Sequence, residues 1–177
     1  MKATARGPSN IALVKYWGKR DAALNIPATG SISVTLDGLE TRTTVEFDAS
    51  LAEDVCVLNG TPDAKAEKRV HGFLDLIRQL YGVDHHARVE TENNFPTGAG
   101  LASSASGFAA LAVACNAALG LDLTPPARSA LARRGSGSAA RSMIDGFAEM
   151  RAGSEADGSD AYAVQVGGVD RRTARDR

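Results

Sequence analysis

A run of small residues, Asn94-Phe95-Pro96-Thr97-Gly98-Ala99-Gly100-Leu101-Ala102-Ser103-Ser104-Ala105-Ser106-Gly107, leads without a break into Phe108-Ala109-Ala110-Leu111-Ala112-Val113-Ala114-Cys115. The second segment is a strong helix former. The first can bring several backbone N–H groups close to one ligand, because glycine reaches backbone conformations closed to other residues. The helix that follows adds the positive end of its dipole. Such a junction is an anion seat, and phosphate is the usual anion. Ser103 and Ser104 would add hydroxyls for phosphate oxygens or for a magnesium ion. The stretch points to a protein that handles phosphate.

The common phosphate loops do not fit. A Walker loop needs Gly-x-x-x-x-Gly-Lys-[Ser/Thr], and no lysine stands in that place. A dinucleotide fingerprint needs a third glycine, which Gly98-Ala99-Gly100-Leu101-Ala102-Ser103 lacks, and Asn93-Asn94-Phe95-Pro96 is a poor strand end. What remains is Pro-x-x-x-Gly-Leu-x-Ser-Ser-x, here Pro96 to Ala105. It resembles the ATP loop of the small-molecule kinase superfamily that includes galactokinase, homoserine kinase and mevalonate kinase. Without a ligand, the same loop would only permit close helix packing.

Element signals outline one α+β domain. Ile11 to Trp17 reads as a strand. Ser31 to Leu36 alternates Ile32, Val34 and Leu36 with Ser31, Ser33 and Thr35, the pattern of a half-buried strand. Thr41 to Phe47 and Val55 to Leu58 are two further strands, and Asn59-Gly60 is a turn signal. Lys65 to Tyr81 is an amphipathic helix with Val70, Phe73, Leu74, Ile77, Leu80 and Tyr81 on one face, ended by Gly82. Ala87 to Thr91 is a strand, and Ser103 to Leu119 a helix capped by Gly120. Thr124-Pro125-Pro126 opens a third helix, Ala127 to Arg133. Strands early and helices late indicate α+β rather than alternating α/β.

Composition excludes several classes. The formal net charge is −1 over 177 residues, which gives no basic excess for nucleic acid and no charged block for a membrane surface. No apolar run approaches the ~20 residues of a membrane span, and Met1 to Pro8 has no apolar signal core, so a cytoplasmic location is expected. Cys56 and Cys115 sit in apolar segments and read as buried reduced thiols. His71, His85 and His86 form no zinc pattern, and His85-His86 reads as a solvated turn before a strand. Glu155 to Asp160 lacks the periodicity of a calcium loop and reads as a surface turn. Arg133-Arg134 reads as a solvated helix end favoured by the dipole.

Two further motifs narrow the family. Asn10-Ile11-Ala12-Leu13-Val14-Lys15-Tyr16-Trp17-Gly18-Lys19-Arg20-Asp21 is followed by Leu24-Asn25-Ile26-Pro27 and Ser31-Ile32-Ser33-Val34-Thr35-Leu36; later comes Arg133-Arg134-Gly135-Ser136-Gly137-Ser138-Ala139-Ala140-Arg141-Ser142. With Asn93 to Thr97, these closely resemble the diphosphomevalonate decarboxylase family, from about Asn10 to about Val166. Three long motifs in the same order are more specific than one loop.

The resemblance implies a ribosomal protein S5 domain 2-like N-terminal domain over residues 1–166. It implies that a C-terminal, ferredoxin-like half of similar size, which family members carry, is absent. It also implies ATP-dependent phosphorylation of the tertiary 3-hydroxyl of mevalonate 5-diphosphate, then loss of phosphate and carbon dioxide to give isopentenyl diphosphate, with ATP and Mg2+ required. Position by position, Lys15 would neutralise the phosphoryl group in flight. Tyr16 and Lys19 would hold the substrate diphosphate with Ser136 and Ser138, and Arg141 would pair with the substrate carboxylate. Asn94, Thr97, Gly98, Gly100, Ser103 and Ser104 would serve ATP. No protein metal ligand is implied.

Each residue has a plainer reading from the sequence. Lys15 could be a solvent-facing strand lysine, Tyr16-Trp17 core aromatics, and Gly135 to Ser138 a flexible turn. The family's general base belongs to the missing half, and neither Asp145 nor Asp160 matches its motif. Residues 167–177 are polar and charged and are expected to be disordered or non-native. An apolar surface is expected where the second half would pack, with homodimerisation or association with a separate C-terminal half as its consequences. Three alternatives stay open: a non-catalytic nucleotide- or diphosphate-binding remnant, a related mevalonate-type kinase, and a decarboxylase of the monophosphate.

Overall fold

One strand of 18 residues, β4 (Ser31–Asp48), is the spine to which the rest of the sheet attaches. The computed structural model describes residues 1–15, 18–61 and 63–167. Along one side of β4 runs the antiparallel β1 (Lys2–Val14), in register from Lys2 opposite Glu46 to Pro8 opposite Glu40, then from Asn10 opposite Thr35 to Val14 opposite Ile32. The register shifts twice, around Ser9 and around Leu13. β1 is an edge strand, so the missing N–H of Pro8 costs no ladder bond.

The other side of β4 is shared. Its Thr41-to-Asp48 stretch pairs with β6 (His86–Asn93), and Ser31 to Val34 pair with β7 (Phe147–Met150). β5 (Val55–Leu58) lies parallel to β6, and β8 (Ala163–Gln165) antiparallel to β7. A separate two-stranded ribbon joins β2 (Lys19–Asp21) to β3 (Ile26–Pro27).

Helix α1 (Ala64–Tyr81) is the crossover that the parallel β5–β6 pair requires. Asp63 caps its start by accepting from the N–H groups of Lys65 and Ala66, and Gly82 ends it in the left-handed region at φ 64°. α2 (Ser103–Leu119) is apolar on nearly every side, as a helix buried against a sheet must be. α3 (Pro125–Gly135) is capped by the Thr124 hydroxyl and leads into a 3-10 helix, Gly137–Met143. The main core gathers Val45, Phe47 and Val89 of the sheet, Phe73, Leu74 and Ile77 of α1, and Phe108, Leu111 and Cys115 of α2. Each large side chain buried there contributes roughly 1.5–3 kcal/mol.

Several expectations need correction. The first strand spans Lys2–Val14 rather than starting at Ile11, and Tyr16 and Trp17 lie outside the described residues. The two strands expected at 31–36 and 41–47 are one, because β1 runs along both parts and holds them in line. β2, β3, β7, β8 and the 3-10 helix carry no strong periodic signal, being two to seven residues long. On α1, Leu80 is 49% exposed, while the next residue, Tyr81, still packs against the core. Arg133 is not a solvated helix end. It is only 2% exposed, and its Nε donates to Leu24 O at 3.2 Å and its Nη1 to Gly158 O at 2.6 Å and to Ala161 O. Burial, with the nearby Arg134 charge, lowers its pKa to about 10, so it stays charged at neutral pH while tying two loops to α3. Of the expected tail, residues 167–177, all but Gly167 lie outside the described residues.

The thiols are as expected. Cys56 and Cys115 are free and buried, and burial pushes their pKa up to about 11 and about 12, keeping them protonated and unreactive.

Gly7 decides how close α2 can lie to the sheet. A Cβ there would stand 2.3 Å from Ser106 O and 2.7 Å from Ala110 N, both backbone atoms that cannot swing away. Gly7→Ala should therefore cost about 1–3 kcal/mol in chemical denaturation, the usual penalty of overpacking. Gly72, inside α1, would meet nothing within 4 Å. Gly72→Ala should raise stability by about 0.4–1 kcal/mol, because it only restricts the unfolded chain.

The Asp54 carboxylate gives a second test. Its side chain is 5% exposed, accepts from Arg78 at 3.0 and 2.7 Å, and accepts from the Ala87 N–H at 2.8 Å. Burial by itself raises its pKa, but the Arg78 and Ala87 hydrogen bonds and the Arg78 charge outweigh it and hold the pKa below the ordinary carboxylate value. A lowered folded pKa gives stability that is present above the unfolded value of about 3.9 and is lost as pH falls through the folded one. Asp54→Asn should cost about 1.5–3 kcal/mol at pH 7, by removing the buried carboxylate of a charge-assisted pair and leaving Arg78 with only the exposed Asp75 as its ionic partner. The gap between wild type and variant, read from urea titrations, should narrow as the pH is lowered into the acid range.

Candidate active site

The loop before α2 is held in an unusual backbone state. Gly98 and Gly100 have φ of 78° and 77°, and Ala102, the residue that begins the helix, has φ of 55°. A left-handed alanine costs about 1–2 kcal/mol, so the surroundings must impose it. Part of the restraint is visible: the buried Ser9 hydroxyl, at the register shift of β1, donates to Leu101 O. No side chain caps α2, and the carbonyl of Ala102 already accepts from the N–H groups of Ala105 and Ser106. The positive end of the helix is therefore presented at Ser103 and Ser104, where an anion would be stabilised.

A cavity of about 250 Å3 opens beside this helix start. Thr97, Gly98, Ser103 and Ser104 line it, which places four of the expected ATP residues on one wall. Apolar side chains, among them Leu58, Val70, Phe108 and Leu111, line the rest, with Lys65 and Arg69 at the rim. Lys65 and Arg69 had no sequence signal beyond a polar helix face. Arg69 lies over the Phe108 ring at 4.7 Å and donates to Gly135 O at 3.2 Å. It thus fixes a cation beside the cavity. Among the described residues, no group of three or more His, Cys, Asp or Glu side chains could hold a metal ion. Asp63, also on the wall, is occupied in capping α1.

The remaining nucleotide candidates behave differently. Asn94 is spent on structure: its Nδ2 donates to Gly38 O at 2.8 Å and its Oδ1 accepts from the Glu40 N–H at 2.9 Å, which ties the loop to β4. Gly100 supplies a turn and is not on the cavity wall. Thr97 Oγ1 accepts from Asn93 Nδ2 at 2.9 Å and from Asn59 Nδ2 at 3.3 Å, so the turn at Asn59-Gly60 supports the loop.

The second candidate segment meets the first. Ser104 Oγ is 3.4 Å from Ser136 Oγ, which is 3.3 Å from Ser138 Oγ. Three hydroxyls thus line up from the start of α2 to the start of the 3-10 helix. Arg141, in that helix, is 3% exposed and donates from Nη1 to Ser31 Oγ at 2.5 Å and from Nη2 to Asn10 Oδ1 at 3.5 Å. Asn10 Nδ2 donates in turn to Ser138 O at 3.1 Å and Ser142 Oγ at 2.7 Å. Asn10, Ser31 and Ser142 therefore position Ser138 and Arg141. They stand inside the quoted motifs, but their side chains act only through contacts more than 100 residues apart in sequence. Ser31 was expected to be merely the polar side of a strand; it is 2% exposed and faces the helices.

Lys15 is exposed at the end of β1. Lys19 is exposed too, and its ammonium donates to Asn25 Oδ1 at 2.6 Å while Asn25 Nδ2 donates to Arg134 O at 2.8 Å. That chain of contacts brings Lys19 to the end of α3, two residues before Ser136. Tyr16 lies outside the described residues.

An α+β sheet-and-helix domain with a phosphate-type loop beside a Gly-Ser-Gly-Ser segment has the makings of an anion-binding half-enzyme. The chain belongs to the diphosphomevalonate decarboxylase-like N-terminal domain family, whose model matches residues 7–163. It is 44% identical to the diphosphomevalonate decarboxylase of Eremothecium gossypii, covering 95% of this chain and 46% of that protein. It is 45% identical to the phosphomevalonate decarboxylase of Haloferax volcanii, covering 86% of this chain and 48% of that one. The mevalonate diphosphate decarboxylase from Enterococcus faecalis superposes with a TM-score of 0.89 at 50% identity, over 94% of this chain and 51% of its own. MDDEF, solved in complex with MVAPP, AMPPCP and magnesium, superposes with a TM-score of 0.88 at 50% identity, over 94% of this chain and 50% of its own. The chain thus spans about half the length of the relatives it matches.

The junction of α3 and α2 is tight enough to test. A Cβ on Gly135 would stand 2.1 Å from Phe108 Cδ1, and that ring is also held edge-on by Phe73 at 5.6 Å between centroids. Gly135→Ala should destabilise the fold by about 1–3 kcal/mol. Adding Phe108→Leu should recover part of the loss, a coupling that a double-mutant cycle of melting curves measures.

Proposed function

We propose that this chain is the nucleotide- and substrate-binding half of an ATP-dependent decarboxylase acting on mevalonate 5-diphosphate. The observation that carries the reading is the contact between the two loops: Ser104 of the phosphate-type loop lies 3.4 Å from Ser136 of the Gly-Ser-Gly-Ser segment. Two polyanions bound there would meet end to end, as in-line phosphoryl transfer requires. The names of the matched decarboxylases, and the relative solved with MVAPP, AMPPCP and magnesium, support the same choice of ligands.

In this reading the ATP base side enters the apolar cavity and its phosphates reach Gly98, Ser103 and Ser104. The Ser103 and Ser104 hydroxyls fit a magnesium ion carried chiefly by the nucleotide's own phosphates, where it would neutralise their charge. Lys15 faces the phosphoryl group in flight. Lys19, Tyr16, Ser136 and Ser138 hold the substrate diphosphate, and Arg141 presents its planar fork to the substrate carboxylate. The tertiary hydroxyl takes the phosphoryl group and becomes a competent leaving group. The C–O bond then breaks with its electron pair going to phosphate, and the bond to the carboxylate supplies the electrons of the new double bond as carbon dioxide leaves. The chain offers cations and donors for this, which is where such chemistry gains most. The proton of the hydroxyl needs a base that we assign to a second half, so the 177-residue chain alone should release negligible carbon dioxide from ATP and mevalonate 5-diphosphate.

The match to a phosphomevalonate decarboxylase favours one second reading, the monophosphate as substrate. Calorimetry separates the two. Lys19→Ala should weaken mevalonate 5-diphosphate binding about 10-fold or more, the loss of one charge-assisted contact, and leave AMPPCP binding unchanged. Ser104→Ala should do the reverse. Equal weakening of both ligands by either substitution overturns the assignment, and tighter binding of the monophosphate than of the diphosphate selects the second reading.

A further inference from the structure

The turn between β2 and β3 is fastened to the end of α3. Asp21 Oδ1 accepts from the Leu24 N–H at 2.8 Å and closes the turn. Asn25 leaves it in the left-handed region, at φ 53°, which asparagine tolerates better than most residues. Two successive residues of α3 hold two successive residues of the turn. Arg133 Nε donates to Leu24 O at 3.2 Å, and Asn25 Nδ2 donates to Arg134 O at 2.8 Å. The next residue, Ile26, is 1% exposed and packs with Ala140 of the 3-10 helix and with Met150, Ala161 and Ala163. Arg133 and Ile26 therefore fix the backbone on either side of Asn25 without help from its side chain.

That side chain has a second contact. Its Oδ1 accepts from the Lys19 ammonium at 2.6 Å while its Nδ2 stays on Arg134 O. An ammonium can only donate and a carbonyl can only accept, so the group between them must offer one of each. An amide does so; a carboxylate here would have no N–H for Arg134 O. Lys19 is exposed and its ammonium rides on a flexible stem, so without this contact it would have no fixed direction. Arg134, at the other end, is followed by Gly135 and then Ser136, whose Oγ is 3.3 Å from Ser138 Oγ. One amide thus bridges the lysine and the backbone that leads to the two serines.

We propose that Asn25 is a positioning residue of the substrate site: it holds the Lys19 ammonium beside the Ser136–Ser138 segment before a ligand arrives. Its ligand is the diphosphate of the proposed function, and in that respect it rests on that reading. Asn25 acts through Lys19 and touches no substrate. A free lysine samples many rotamers in water and loses them when an anion captures it. A lysine already held by Asn25 has lost them on folding, so binding is the stronger.

The test compares Asn25→Gly with the wild-type chain. Glycine keeps the left-handed turn and removes the amide alone. In calorimetry, mevalonate 5-diphosphate should bind about 3- to 10-fold more weakly, the effect of one side chain that the ligand must now order, and AMPPCP should bind as before. In a Lys19→Ala background the same substitution should change neither affinity, because no ammonium is left to position. A merely structural role would weaken both ligands, or would act equally with and without Lys19, and either result overturns the proposal. If Asn25→Gly lowers the melting temperature, Asn25→Asp replaces it: aspartate also suits the left-handed region, loses the donor to Arg134 O and neutralises the ammonium, and should weaken the diphosphate selectively in the same way. Nitrogen-15 spectra add a reading that needs no ligand. The Lys19 ammonium, assigned by its loss in Lys19→Ala, should give an N–H signal whose exchange with water is slowed, and that signal should vanish in Asn25→Gly. Its absence from the wild type, or its survival in Asn25→Gly, overturns the proposal. A wild-type chain that shows the protected ammonium but binds no diphosphate overturns the proposed function and leaves Asn25 as the residue that places Lys19.

Discussion

The contact on which the site depends is the close approach of α2 to β1 at Gly7. Small residues on both partners, Gly7 on the strand and Ser106, Ala109 and Ala110 on the helix, let helix backbone lie almost on strand backbone. That fixes the start of α2 against the second half of β1. Ser9, two residues further, then holds the phosphate-type loop through Leu101 O, and Asn10 holds the 3-10 helix through Ser138 and Ser142. A larger residue at Gly7 would lift the helix and spread the two loops whose serines now stand 3.4 Å apart. Packing between two apolar elements thus sets the distance between two polar ones.

Around Asn10 the structure accepts a buried polar cluster that an apolar core would avoid. Asn10, Ser31, Arg141 and Ser142 are each no more than 3% exposed, and their hydrogen bonds interlock. Burying a guanidinium is costly unless its donors are used. Here the cost is offset by the Ser31 and Asn10 oxygens, and the result is a fork whose direction is set before any ligand arrives. Preorganisation of this kind matters more for charge developing in a reaction than for stability. Arg133, one helix away, is buried as deeply, but its partners are backbone carbonyls of loops and its work is structural.

Much of this was legible in the sequence, for identifiable reasons. α1 and α2 end at Gly82 and Gly120 and α3 begins after Thr124, so local chemistry marks those boundaries, whereas α2 begins at Ala102 with no side-chain cap. The two loops of the site are visible because glycine and serine runs at helix boundaries are rare in a packed chain. Less visible was anything set by distant pairing. The union of two expected strands into β4 depends on β1, and the short β7 and β8 exist only because β4 offers them an edge. Asn94, expected on the nucleotide side, also braces the loop through Gly38 and Glu40, partners 56 and 54 residues away that no local pattern shows. Arg133 looked solvated for the same reason: the carbonyls that use it come from elsewhere in the chain.

The inverted strand face joins fold to function. The start of β4 turns Ser31 and Ser33 to its own helices and Ile32 and Val34 outward, the reverse of the polarity it shows from Thr41 to Asp48. Covering that face would act on the site electrostatically as well as sterically. Lys15 and Lys19 are exposed, and in water a unit charge 4 Å from a phosphate oxygen gains only about 1 kcal/mol. At the effective dielectric of a partly covered site the same pair gains about 4 kcal/mol. Covering the face would therefore strengthen lysines that are already in place, without adding a cation. On the proposed function, a second half would bring two separate things, a base for the tertiary hydroxyl and a lower dielectric for the charges of this half.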